Sequence, residues 1–187
     1  MSDNVTLTDL AEAFPGLPIE LKYAGADNLT GRAIYRESRC LLHPDAVQGL
    51  TRCLLAARLA GFSLLVFDAY RPQQAQALLW QACPDPQYVT STLTGSHHSR
   101  GVAIDVTLLD AEGIALDMGT GFDEMSEKSH PFYPDFPPEV QRNRLLLNAV
   151  MAAGGFRGIA SEWWHFELPN AGDYPLLADR FGCFSYD

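Results

Sequence analysis

The chain contains no GxGxxG turn, no GxxxxGK[ST] loop, no GxSxG elbow and no CxxC pair. These absences remove the usual signatures of dinucleotide binding, phosphate-cradling loops, serine hydrolases and thiol redox pairs. Basic residues are scarce: 13 against 23 acidic ones, for a formal net charge of -10. A nucleic-acid backbone binder needs a concentrated basic surface, so nucleic acid is not an expected partner. The one basic cluster, Arg142 with Arg144, falls in an expected helix. No run approaches eighteen uninterrupted apolar residues, which argues against a membrane span. The start, Met1-Ser2-Asp3-Asn4-Val5-Thr6-Leu7, shows neither a basic n-region nor an apolar h-region, so a cytoplasmic location is expected. Cys40, Cys53, Cys83 and Cys183 are widely spaced, and in a reducing compartment buried free thiols are expected.

What remains is a chain with the means to build a core. Its 187 residues are 47% hydrophobic and 19% charged, far from a disordered profile. Without repeats or linkers it reads as one domain over residues 1–187. Residues 1–31, punctuated by Pro15-Gly16, Pro18 and Gly25, are expected to be irregular with one or two short strands. Leu50, Leu54, Leu55 and Leu59 recur at helical spacing, which predicts a helix over 45–60 stopped by Gly61. A strand is expected over 63–70, a helix over 72–82 and a central apolar strand over 101–109. A helix opening at Pro137-Pro138 and closed by Gly154-Gly155 follows, then a strand over 163–168. The pattern predicts an α+β fold, with a small central, mostly antiparallel sheet flanked by helices.

The chemistry concentrates in two segments. There are 5 histidines, and His97, His98 and His165 lie in the two stretches richest in other functional side chains. His98 precedes Asp105 by seven positions, and Gly101 between them permits a tight turn. An acidic side chain within Ala103-Ile104-Asp105-Val106 is costly to bury unless a cation pairs with it. Imidazole plus carboxylate suits zinc, and His165 is the best third ligand, leaving an open position for catalysis. Glu162, three residues before His165, is the candidate general base, with Trp163 and Trp164 providing an apolar flank that raises its pKa. Residues three apart in a regular strand face opposite sides, so this pair requires a bend, a bulge or a strand start. His97 is a rival to His98 as ligand, although adjacent side chains usually diverge. His43 and His130, each beside a proline, read as loop residues.

Ser96-x-His98-Ser99-Arg100-Gly101-x-Ala103-x-Asp105 with Glu162-Trp163-Trp164-His165 resembles the VanX-type D-alanyl-D-alanine dipeptidases, zinc DD-peptidases that share a fold with the Hedgehog signalling domain. The resemblance extends to Lys22-Tyr23-Ala24, Asp27-Asn28-Leu29-Thr30-Gly31, Asp68-Ala69-Tyr70-Arg71-Pro72 and Met118-Gly119-Thr120-Gly121-Phe122-Asp123. It implies a Hedgehog/DD-peptidase-like fold and one zinc ion per chain held by His98, Asp105 and His165. It further implies Glu162 as the base acting on a zinc-bound water and Arg71 as the group that stabilises the oxyanion. Tyr23 and Asp123 match positions that hold the substrate ammonium, and Ser96 one near its carboxylate. His97 departs from the pattern, standing where the VanX relatives carry a second serine, with a bearing on carboxylate binding or the pH profile. The implied partner is a small dipeptide, D-alanyl-D-alanine, anchored at both termini; the oligomeric state stays open, with a homodimer among the options. The alternatives are a zinc D,D- or L,D-carboxypeptidase of the same fold, and a zinc-stabilised binding module without hydrolysis.

Overall fold

The computed structural model describes residues 5–186. The first two strands, β1 (Thr8–Asp9) and β2 (Leu41–Leu42), pair antiparallel beside a four-residue helix, α1 (Leu10–Ala13). Asp9 caps α1 by accepting from the backbone of Ala11 and Glu12. The stretch expected to be irregular thus holds one short strand and this helix, with Met1–Asn4 outside the described residues. The main sheet consists of β3 (Ser63–Asp68), β4 (Ala103–Leu109), β5 (Arg157–Gly158) and β6 (His165–Glu167). Its order is β3-β4-β6-β5, and every neighbour is antiparallel. The expected α+β class and antiparallel sheet are therefore present.

The three long helices are α2 (Pro44–Leu59), α3 (Gln73–Ala82) and α4 (Pro138–Ala153). Pro44 and Pro138 stand in first turns, where a missing N–H costs nothing. Gly61 and Gly155 adopt positive φ just past the ends of α2 and α4. Phe62 and Phe156 then donate back to Ala57 and Met151 and close the last turns. The buried face of α2 differs from the leucine spacing: Ala46, Gly49, Leu50, Cys53 and Ala57 are buried, whereas Leu55 and Leu59 are exposed. The reason is the α2–α4 crossing. A Cβ on Gly49 would lie 2.6 Å from the Gly154 carbonyl oxygen, so small residues set the contact and Leu55 and Leu59 turn outward. Cys40, Cys53, Cys83 and Cys183 are free. Among the described residues, no helix is long and apolar enough to cross a membrane.

Three expected strands are longer than the observed ones. β3 stops at Asp68 after an irregularity between Val66 and Asp68, β4 starts at Ala103, and β6 is confined to His165–Glu167. Just beyond the shortened ends lie Arg71, His98 and Glu162, which line one cavity. Alternation along β4 sends Ile104, Val106 and Leu108 into the apolar core with α2 and α4 residues, leaving Ala103, Asp105 and Thr107 on the other face.

Candidate active site

Asp105 and His165 are direct partners across β4 and β6, so their side chains leave the same face of the sheet. His98 joins them from a single 3₁₀ turn, His98–Arg100, that precedes β4. Gly101 ends that turn at φ 77°, with Leu7 and Leu177 side chains closing around its α-carbon, so both the backbone angle and the space favour glycine. Nε2 of His98 lies 3.2 Å from Oδ1 of Asp105 and 3.2 Å from Nδ1 of His165, and that Nδ1 lies 3.4 Å from the same carboxylate oxygen. A tetrahedral ion with ligand bonds of about 2.0 Å spaces its donors by about 3.3 Å. The triangle has that edge length.

The hydrogen bonds behind the donors fix which ring atoms are bare. Nδ1 of His98 donates to the Ala69 carbonyl at 2.7 Å, which leaves a lone pair on Nε2. Nε2 of His165 donates to Oε1 of Glu167 at 2.8 Å, which leaves one on Nδ1. With Asp105, three electron-rich atoms then converge and repel unless a positive charge sits among them. A proton fills this role when no ion is bound. Burial works against a charged ring, but bonds to Asp105 and Glu167 outweigh it and hold His165 up at about 10. Burial would raise Asp105, yet His98 and His165 overcome it and keep its carboxyl well below the usual range. The donor set therefore fits a divalent cation of the zinc type, which would replace that proton.

Glu162 lies just before a turn at Trp163-Trp164, and β6 begins only at His165. That turn replaces the strand expected over 163–168 and supplies the bend which the ExxH spacing requires. Trp163 holds it, donating N–H to Ser129 O and Nε1–H to Thr120 Oγ1, each at 2.9 Å. Glu162 and His165 consequently line one cavity of about 330 Å³, together with Tyr23, Arg71, Ser96 and Asp123. Glu162 is 8% exposed, and burial lifts its carboxyl to about 8 against the opposing pull of His165.

Arg71 follows β3 and is clamped on three sides. Its Nε donates to Asp68 at 2.9 Å, Nη1 to Gln76 Oε1 at 2.8 Å and Nη2 to Asp105 at 3.4 Å. The guanidinium carbon also sits 4.9 Å from the centre of the Tyr23 ring. Tyr23 donates its hydroxyl hydrogen to Asp123, whose second carboxylate contact is the Leu29 N–H at 3.0 Å. Asp123 is nearly buried, at a backbone φ of 65°, and burial raises its carboxyl to about 6. Ser96 accepts from His98 N–H through Oγ at 3.2 Å.

All eight candidate residues thus face one cavity or its donor set. His97, the rival ligand, stands outside the triangle, with Nδ1 2.7 Å from Glu167 Oε2. His43 caps α2 and His130 ends a 3₁₀ turn, as loop residues would. Glu167, Asp68 and Gln76 also serve the site but are not among the residues that the sequence singled out for it. Glu167 was detectable, since an acid two positions after a strand ligand shares its face. Asp68 closes an apolar strand, the same cue that singled out Asp105. Gln76 carries no local signal, because its role depends on where Arg71 folds back.

Residues 3–187 match the family described as D-ala-D-ala dipeptidase. The chain belongs to this family. It is 65% identical over 184 residues to the D-alanyl-D-alanine dipeptidase of Escherichia coli, covering 98% of this chain and 95% of that one. The D-alanyl-D-alanine dipeptidase of Enterococcus faecalis is 32% identical over 183 residues, covering 85% of this chain and 89% of its own. Among solved structures, a vancomycin-resistance D,D-pentapeptidase VanY variant in complex with Zn(II) aligns with a TM-score of 0.46 and 15% identity, over 74% of this chain and 79% of that one.

Proposed function

We propose that this chain is a zinc-dependent dipeptidase that hydrolyses D-alanyl-D-alanine to two molecules of D-alanine. The observation that carries the reading is the His98–Asp105–His165 triangle, its edges 3.2 to 3.4 Å, opening into the cavity that also holds Glu162, Arg71 and Asp123. A structural zinc would require neither a buried carboxyl of raised pKa nor a clamped arginine beside it. The 65% identity to the Escherichia coli dipeptidase supports the choice of substrate.

Zinc, when bound by His98, Asp105 and His165, supplies Lewis acidity and lowers the pKa of a water ligand toward about 7. Glu162 in its carboxylate form takes a proton as water adds to the scissile carbonyl carbon, and returns it to the leaving amine nitrogen as the C–N bond breaks. A carboxyl held near neutrality suits both halves of this transfer. Arg71 faces the negative charge that develops on the carbonyl oxygen. Three of its five N–H groups are engaged by Asp68, Gln76 and Asp105, which fixes the fork and leaves two beyond those bonds. Asp123, steadied by Tyr23 and the Leu29 N–H, holds the substrate ammonium, and Ser96 stands at the carboxylate end. Holding both ends of a dipeptide excludes longer and N-capped peptides.

A panel of stereoisomeric alanine dipeptides and their N-acetyl derivatives, assayed with and without chelator, tests the reading. Cleavage of D-Ala-D-Ala that chelator abolishes is expected, with the N-acetyl form resistant. Equal cleavage of both forms would sink the two-ended pocket.

A further inference from the structure

His97 and His98 are neighbours in sequence, yet they serve different atoms. His98 points into the donor triangle, while Nδ1 of His97 lies 2.7 Å from Oε2 of Glu167. The other oxygen of that carboxylate lies 2.8 Å from Nε2 of His165. One buried carboxylate thus bridges two imidazoles that arrive from separate segments, the turn before β4 and strand β6. A carboxylate held by a single bond can pivot about it, whereas two N–H donors on independent backbones fix its plane. We propose that His97 is a positioning residue for the metal-binding set: through Glu167 it fixes the orientation and tautomer of His165, so that Nδ1 stays aimed at the other two donors.

This proposal rests on the zinc reading and extends it to residues outside the triangle. Among the described residues, Glu167 has little else to hold its second oxygen. Arg157 Nη2 stands 4.0 Å away on a side chain that is 60% exposed, too far for a hydrogen bond and largely screened by solvent. Glu167 is itself buried, so losing His97 leaves a carboxylate oxygen without a close partner. The backbone is built to keep His97 there. Its carbonyl accepts from both Arg100 and Val102, and Val102 in turn accepts from Leu168 N–H just past Glu167. The turn and the strand that the carboxylate joins are therefore also tied through the main chain.

The test is zinc affinity, measured by chelator competition on the wild type, His97→Ala, His97→Asn, Glu167→Gln and the His97→Ala/Glu167→Gln double variant. An Asn amide places its NH₂ close to the position of Nδ1, so it can replace the donor. Outer partners of metal-bound histidines are worth about 10- to 100-fold in affinity, and the expected loss for His97→Ala is at the lower end, about tenfold. Asn restores most of it, and the double variant binds zinc no more weakly than Glu167→Gln alone. Three results overturn the proposal: His97→Ala affinity within about twofold of wild type, a loss that Asn does not rescue, or a loss that adds in full to that of Glu167→Gln. Wild-type protein that takes up no zinc overturns the zinc reading and this proposal together. Normal zinc affinity in His97→Ala overturns only the proposal.

Discussion

Nε of Arg71 lies 2.9 Å from Oδ2 of Asp68, within an ion pair that is almost wholly buried. The pair aligns a row of charge across the sheet, because Asp68 neighbours Asp105, which neighbours His165. Two carboxylates side by side in a dry site repel, and the Arg71 fork spans both of them. Asp68 still sits at about 6, because burial raises it more than Arg71 lowers it. A lysine cannot reproduce this fork, since it offers a point charge with no planar set of donors. Arg71→Lys is therefore expected to lower kcat on D-Ala-D-Ala by about 10²- to 10³-fold, the usual cost of removing an oxyanion donor, with a smaller change in KM. Steady-state kinetics decide this. An unchanged kcat would remove Arg71 from the chemistry and leave it a structural ion pair.

Glu162 should set an acid limb on activity. Its carboxyl is lifted from an ordinary 4.5 to about 8 by burial, and only the ionised form accepts a proton. Activity should then fall as pH drops through its pKa, and a nearby divalent cation moves that limb below 8 by favouring the anion. Glu162→Gln should lose about 10²- to 10⁴-fold in kcat, and the limb should vanish from the residual rate. An acid limb of the same shape in Glu162→Gln would assign the titration to another group.

The same shift has the opposite sign for stability. A group whose pKa is higher folded than unfolded stabilises the fold at low pH, and that contribution is lost as pH rises through the folded value. In the metal-free protein Glu162 therefore weakens the fold progressively between 4.5 and about 8. Glu162→Gln should raise the melting temperature of the metal-free protein at pH 8, with a gain on the order of several kcal/mol, and should show little gain at pH 4. Thermal melts at the two pH values check it; equal gains at both would point to packing.

Much of this site was legible because its groups are local to short motifs. His98, Asp105, Glu162 and His165 come from two segments in which polar residues interrupt apolar ones, and burial makes such interruptions costly without a cation. The helix bounds of α2 and α4 were equally legible, α2 from leucine spacing and its glycine stop and α4 from its proline start and glycine stop. The buried face of α2 was not, because leucine spacing says which residues can share a face, while the Gly49–Gly154 approach decides which face is used. Strand ends were overread at Asp68, Ala103 and His165 for one physical reason. Apolar propensity continues through residues such as Trp163 and Trp164, but hydrogen bonds that Trp163 donates to Ser129 and Thr120 pull it into a turn. No local pattern reveals a partner more than thirty residues distant.

Asp123 should govern how the substrate's free amine is read. Its carboxylate is held at 2.7 Å by the Tyr23 hydroxyl and at 3.0 Å by the Leu29 N–H. Replacing it with Asn keeps the shape and removes the charge. A hydrogen bond to a charged group is worth about 1.5–3 kcal/mol, so Asp123→Asn should lower kcat/KM for D-Ala-D-Ala by about 10- to 150-fold. The preference for the free dipeptide over its N-acetyl form should shrink by a similar factor. Undiminished discrimination in Asp123→Asn would place ammonium recognition elsewhere in the cavity.

Metal binding should compete with a proton at His165. In the absence of an ion the ring is held up at about 10 by Asp105 and Glu167, so below that value zinc must displace a proton to enter. Apparent zinc affinity is therefore expected to rise with pH, by up to tenfold per unit while one proton is released, and to level off as pH approaches 10. Uptake should also stabilise the fold, because the three donors come together only in the folded chain. At a free zinc concentration a hundred times the dissociation constant, the gain is about 2.7 kcal/mol. Asp105→Ala removes one donor and one of the two anions that hold the His165 proton. In that variant both the zinc-dependent rise in melting temperature and the steepness of the pH dependence should fall together. Calorimetric titration with zinc in buffers of different ionisation enthalpy counts the protons released. A count near zero at pH 7 would show that His165 already presents a bare Nδ1, and that Glu167 and Asp105 do not hold a proton in the triangle.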